Sequence, residues 1–84
     1  MKNGFMTFRS VTYAQRGEAL LRRAGFDILL QRTPKWMEEQ GCGYCLRMAA
    51  GDLGAAARLL QANSVGFRRM YLRTEDGKLE EWKL

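Results

Sequence analysis

Thr33-Pro34-Lys35-Trp36-Met37-Glu38-Glu39-Gln40-Gly41-Cys42-Gly43-Tyr44-Cys45-Leu46-Arg47-Met48 decides how this chain folds. From Gly43 onward it alternates, with Tyr44, Leu46 and Met48 on one side and Cys45 and Arg47 on the other, the period of a β-strand. Just upstream, Phe26 to Arg32 alternates as well, placing Phe26, Ile28 and Leu30 opposite Asp27, Leu29 and Gln31. Between the two runs Thr33 can cap a short helical turn whose first position is Pro34, where a missing N–H costs nothing. Lys35 to Gln40 supply that turn and Gly41 ends it. Two strands therefore follow one another here.

Working outward, Phe5 to Arg9 is a short apolar strand between Gly4 and Ser10. Ser10 or Thr12 caps the helix that follows. Val11, Ala14, Gly17, Leu21 and Ala24 recur on its inner stripe, and Gly25 stands where a left-handed C-terminal cap is wanted. Gly17 in mid-helix costs roughly 1 kcal/mol against Ala, so its place on the stripe predicts a close helix–sheet approach. Downstream, Gly51-Asp52 marks a turn and an N-cap. Leu53, Ala56, Ala57 and Leu60 line a second helix that ends near Asn63-Ser64. Phe67 to Arg73 reads as a fourth strand. Glu75-Asp76-Gly77-Lys78 reads as an Asp-Gly hairpin turn, returning Leu79 to Leu84 as an edge strand.

The order is strand, helix, strand, strand, helix, strand, with one strand added. That predicts an α+β, ferredoxin-like βαββαβ sandwich over residues 1–84 as a single domain, with both helices on one face of an antiparallel sheet. The other face then stays open. Strand four would offer it either Met70 and Leu72, or Phe67, Arg69, Tyr71 and Arg73.

Composition narrows the chemistry. The 84 residues are enough for one modest core. No apolar run approaches the roughly 18 residues of a membrane span, and no signal peptide opens the sequence. A cytoplasmic protein of bacterial type, with no membrane partner, is expected. Histidine is absent, which removes His-based triads, Cys–His dyads and His-containing metal sites within one chain. The net charge is 14 − 9 = +5. Four of the nine acids (Glu75, Asp76, Glu80 and Glu81) lie in the last ten residues, so residues 1–74 are more basic than the whole. Such a surplus permits anion or nucleic-acid binding without establishing it.

Both cysteines, Cys42 and Cys45, fall in the central stretch. Gly41 and Gly43 flank Cys42, leave its sulfur open to approach, and let backbone N–H groups gather about an anion. A thiol's worth as nucleophile or carrier depends on its thiolate content, which Lys35, Arg32 and Arg47 would raise if they stood near it. Packing is the competing reading, above all for Cys45 inside a strand. Cys42-Gly43-Tyr44-Cys45 has the C-x-x-C spacing, but it opens a strand rather than a helix. Residues three apart in an extended segment lie roughly 10 Å apart, whereas a disulfide needs about 4.4–6.8 Å between Cα atoms. A redox pair thus requires a sharp bend at Gly43. A zinc site would need cysteines from two chains.

Phe8-Arg9-Ser10, Leu20-Leu21-Arg22-Arg23-Ala24-Gly25, Thr33-Pro34-Lys35, Gly41-Cys42-Gly43-Tyr44 and Leu46-Arg47 together resemble the small bacterial Se/S carrier protein-like family, a domain of unknown function. The resemblance covers roughly residues 5–73. Cys42 occupies the family's cysteine. Lys35 stands where the family usually has arginine, Glu38 falls where serine is common, and Cys45 is extra.

The resemblance implies a carrier that holds sulfur or selenium on Cys42 as a persulfide or perselenide. Pro34, Lys35, Gly41, Gly43 and Arg47 would form its anion or thiolate environment, and Cys45 would be a second thiol. Its partners would be donor and acceptor proteins. No metal or cofactor is expected, and with no complete catalytic set the chain reads as a carrier or binding protein rather than a stand-alone enzyme. The alternative is a non-catalytic module that binds protein or single-stranded nucleic acid on the open face. Arg68, Arg69 and Arg73 beside Phe67 and Tyr71 motivate it, although strand three lacks the aromatic run of an RNA-recognition motif. A homodimer through that face or the edge strand belongs to the same reading.

Overall fold

The computed structural model describes residues 2–33 and 43–83. Five strands and two helices appear in the order β1 (Asn3–Thr7), α1 (Val11–Arg23), β2 (Leu29–Arg32), β3 (Tyr44–Ala49), α2 (Leu53–Ala62), β4 (Met70–Arg73) and β5 (Leu79–Trp82), with a 3₁₀ turn at Ala50–Asp52 before α2. The strands form one sheet in the order β2-β3-β1-β4-β5, every neighbouring pair antiparallel. Because β1 and β2 both run antiparallel to β3, they point the same way with β3 between them. Among the described residues no helix is long and apolar enough to cross a membrane.

Strand alternation sorts the sheet into two faces. Met6, Leu46, Met48 and Met70 meet the helices in one buried cluster with Ala14 and Leu21 of α1 and Leu53, Ala56, Ala57 and Leu60 of α2. Phe5 and Cys45 lie on the other face, with Tyr71 and Leu79 packed against them. Both helices therefore cover one side, as the sequence predicts. Of the two choices for β4, Met70 and Leu72 turn to the helices, while Tyr71 and Arg73 share the helix-free face with Phe5.

Local signals place the helices well. The Ser10 hydroxyl accepts the Tyr13 N–H at 3.3 Å and caps α1. At its other end Gly25 has φ +95°, and the N–H groups of Gly25 and Phe26 donate to the carbonyls of Arg22 and Leu21. That is the Schellman arrangement. On the inner stripe Ala14, Gly17 and Leu21 are buried, but Val11 and Ala24 are exposed because they sit at the helix ends, beyond the sheet. A Cβ at Gly17 would stand 3.1 Å from the Phe8 ring, which is the close approach its position foretold. All four inner residues of α2 are buried. Asp52 precedes α2, but its side chain makes no capping bond.

Several boundaries differ from the sequence reading. β1 ends at Thr7, and Phe8 turns into the core, fully buried. β2 is only Leu29–Arg32; Phe26 and Ile28 pack on the core before the ladder begins. Their alternation came from burial rather than pairing. β4 is Met70–Arg73, yet Arg68 and Arg69 still exchange backbone bonds with Thr7 at 2.8 Å each. The final hairpin has three loop residues, Glu75-Asp76-Gly77. The Gly77 N–H donates to the Thr74 carbonyl at 3.0 Å and Gly77 has φ +86°, a type I turn closed by a left-handed residue. β5 spans Leu79–Trp82 at the sheet edge, and its Trp82 packs toward the core over α2.

Candidate functional site

Four of the candidate residues, Pro34, Lys35, Gly41 and Cys42, lie outside the described residues, as does the predicted turn from Lys35 to Gln40. What the structure fixes is the frame on either side. Thr33 is buried, and its N–H donates to the Gly43 carbonyl at 2.8 Å. This bond continues the ladder that pairs Arg32 with Tyr44. Thr33 and Gly43 are thereby clamped together, just beyond the paired ends of β2 and β3.

Gly43 is buried and has φ +84°. The backbone before β3 is thus not extended at this residue, and a side chain here would be strained. The fully extended geometry assumed for Cys42 to Cys45 does not hold at Gly43. Tyr44 follows on the helix side, and the Arg32 guanidinium carbon lies 5.4 Å from its ring centroid. Such contacts contribute about 0.5–1 kcal/mol when exposed. They also hold a positive charge beside the start of β3.

Cys45 is fully buried on the helix-free face, opposite Thr7 on β1 and Gln31 on β2. It packs with Phe5, which is itself only 3 % exposed. Arg47 is exposed two residues further along the same face, opposite Phe5 and Leu29. Four residues of strand, about 13 Å, separate it from Gly43. It lines a shallow cleft of about 490 Å³ with Asn3, Arg22, Asp27 and Asp52 toward the other end of the sheet. Of the described cations expected near the cysteine, Arg32 stands beside the start of β3 and Arg47 lies four positions along the strand from Gly43.

The basic group expected on the open face lies only partly there. Arg73 lies over the Phe5 ring, 5.6 Å from its centroid, and Arg69 pairs with Glu81 of β5 at 3.5 Å. Arg68 and Phe67 border a cleft beside β5 with Arg69 and Glu81, and a second one with Arg9 and Tyr13 near the start of α1. Arg9 and Tyr13 were not legible as site residues. They are distant in sequence from Arg68, and the backbone bonds of Thr7 with Arg68 and Arg69 bring the two segments together.

Residues 3–72 match the family described as "Putative Se/S carrier protein-like". The chain belongs to this family. The match runs from the first residue of β1 into β4, so it spans both helices, the central stretch with Cys42, and four of the five strands. No curated protein and no solved structure matched the chain.

Proposed function

We propose that this protein is a thiol-based sulfur or selenium carrier, with Cys42 holding a persulfide or perselenide for delivery to a partner protein. One observation carries the reading: family membership over residues 3–72, a span that includes Cys42 in its Gly41-Cys42-Gly43 setting. The left-handed conformation of Gly43 is in keeping with it, because glycine at that position serves the backbone next to the cysteine. Arg32 beside the start of β3 contributes positive charge of the kind that favours a thiolate.

The transfer needs neither metal nor cofactor. The Cys42 thiolate attacks the outer sulfur of a donor protein's persulfide. A bond forms between Cys42 Sγ and that sulfur, the donor's S–S bond breaks, and the donor cysteine leaves as thiolate with the electron pair. An acceptor thiolate then repeats the exchange on Cys42. Each step conserves oxidation state overall, and selenium follows the same route. The partners are accordingly a donor and an acceptor protein. Pro34, Lys35 and Gly41 are proposed to complete the surroundings of the sulfur.

The fold reading that goes with this function is ferredoxin-like: the order β2-β3-β1-β4 and the two helices on one face support it, with β5 added beside β4. A second reading, protein binding on the helix-free face, is favoured by the exposure of Leu29 there. Radiolabelled sulfur passed from a donor persulfide protein tests the first reading. Label should appear on the wild-type chain and be absent from Cys42→Ser; equal labelling of both would rule out Cys42 as the carrier.

A further inference from the structure

Arg9, Tyr13, Ser64, Gly66, Phe67 and Arg68 enclose a cleft of about 250 Å³ between the start of α1 and the segment leading into β4. The geometry points to this cleft as a binding site for a phosphate-sized oxyanion, gripped by Arg9 and Arg68. Among the described residues neither guanidinium has an acidic partner. Ion pairs among the described residues join Arg22 to Glu18 and Arg69 to Glu81, and neither Arg9 nor Arg68 makes an ion pair or side-chain hydrogen bond there. None of the six lining residues is acidic. Two cationic residues thus line one small cavity, and an anion bound there would offset their like charge.

The remaining lining fits the same ligand. Arginine presents planar donors that match phosphate in a two-pronged fashion. Tyr13 and Ser64 add hydroxyl donors. The first turn of α1 holds no acidic residue, so the helix end adds to a field that the arginines already set. The size argues against a large ligand, since pockets for drug-sized molecules run to about 300–1,000 Å³. Phe67 and Tyr13 give the cleft an apolar wall, on which a small organic group attached to the phosphate would rest. The site is independent of sulfur transfer, although it lies at the same end of the sheet as Gly43, the end where Thr7 pairs with Cys45 and Arg69.

Titration of isotope-labelled protein with inorganic phosphate, at ionic strength held constant with chloride, tests the site through the amide signals of Ser64 and Gly66. Saturable shifts are expected, with affinity falling at least tenfold in Arg9→Gln and in Arg68→Gln. It should be unchanged in Arg23→Gln at the far end of α1 and in Cys42→Ser. Unperturbed amide spectra away from the cleft confirm that each variant is folded, and a phosphate-dependent rise in Tm seen only where binding persists gives a second readout. Phenyl phosphate in parallel separates the two sources of the anion: tighter binding than inorganic phosphate indicates a phosphoester, equal binding a free oxyanion. Absence of saturable shifts with either ligand would overturn the proposal. So would loss of affinity in only one arginine variant, or equal loss in Arg23→Gln.

Discussion

Leu53 of α2 sits directly over Gly4 of β1: a Cβ built at position 4 would lie 2.5 Å from Leu53 Cγ. Leu53 is fully buried, so it has no free space to move into. The start of α2 rests on bare backbone here, and this contact sets how closely the helix approaches the sheet. Gly4→Ala should therefore destabilise the fold by about 1–3 kcal/mol through overpacking. In a domain of this size that lowers Tm by about 4–8 °C per kcal/mol. Leu53→Ala alone costs about 2–5 kcal/mol, but adding Gly4→Ala to it should cost almost nothing. Denaturant midpoints of the four proteins in this cycle check the coupling.

Ser64 ends α2 with φ +59°, the one non-glycine residue with positive φ among the described residues. The Val65 N–H donates to the Leu60 carbonyl at 2.9 Å and the Ser64 N–H to the Gln61 carbonyl at 3.2 Å, so the same cap that Gly25 makes for α1 is made here by a residue with a Cβ. Left-handed backbone costs such a residue about 1–2 kcal/mol, of which glycine's extra chain entropy returns part. Ser64→Gly should raise stability by about 0.5–1 kcal/mol. The expected result is a higher urea midpoint at unchanged slope.

Asp76 in the last hairpin accepts a hydrogen bond from the Thr74 hydroxyl and another from the Lys78 N–H. These bonds, the Thr74 hydroxyl first, hold its carboxyl below the ordinary value of 3.8. A carboxyl depressed in the folded state contributes stability that is present above 3.8 and is lost as the pH falls through the folded value. An NMR titration of the Asp76 side chain should show a midpoint below 3.8 in wild type and a higher one in Thr74→Val. The hairpin should loosen in acid before the helices do.

Cys45 is fully buried beside Phe5, on the face the helices leave uncovered. Cys45→Ala should cost about 1–2 kcal/mol, the range for removing a small buried group, and should leave sulfur loading unchanged. Thermal melts and loading of the same variant separate the two effects. Loss of loading in a folded Cys45→Ala protein would give this residue a chemical part.

Much of the architecture was legible because the signals were local. The Ser10 cap, the Gly25 terminus and the Leu53-Ala56-Ala57-Leu60 stripe each depend on residues within one helix. Alternation in β3 correctly set Cys45 and Arg47 opposite Leu46 and Met48. Strand limits were less legible, since Phe26 and Ile28 alternate for burial in a segment that makes no ladder. The hairpin turn was misread by one residue because Asp-Gly suits two loop lengths, and the Thr74 bonds select the longer. Sequence proximity also misled. Arg68 and Arg69 border one cleft beside β5, yet Arg68 also lines a second cleft with Arg9, a residue far away in sequence. At the candidate site, the bend at Gly43 could be required of the sequence but not read from it.

The carrier account is tested most directly by intact-protein mass spectrometry after reduced protein is incubated with a cysteine desulfurase and cysteine. Cys42→Ala, Cys45→Ala and a known carrier run in the same mixture. The account predicts a gain of one sulfur atom on the wild type and on Cys45→Ala, none on Cys42→Ala, and removal of the adduct by reductant. No adduct on the wild type, while the control carrier is labelled, would contradict it.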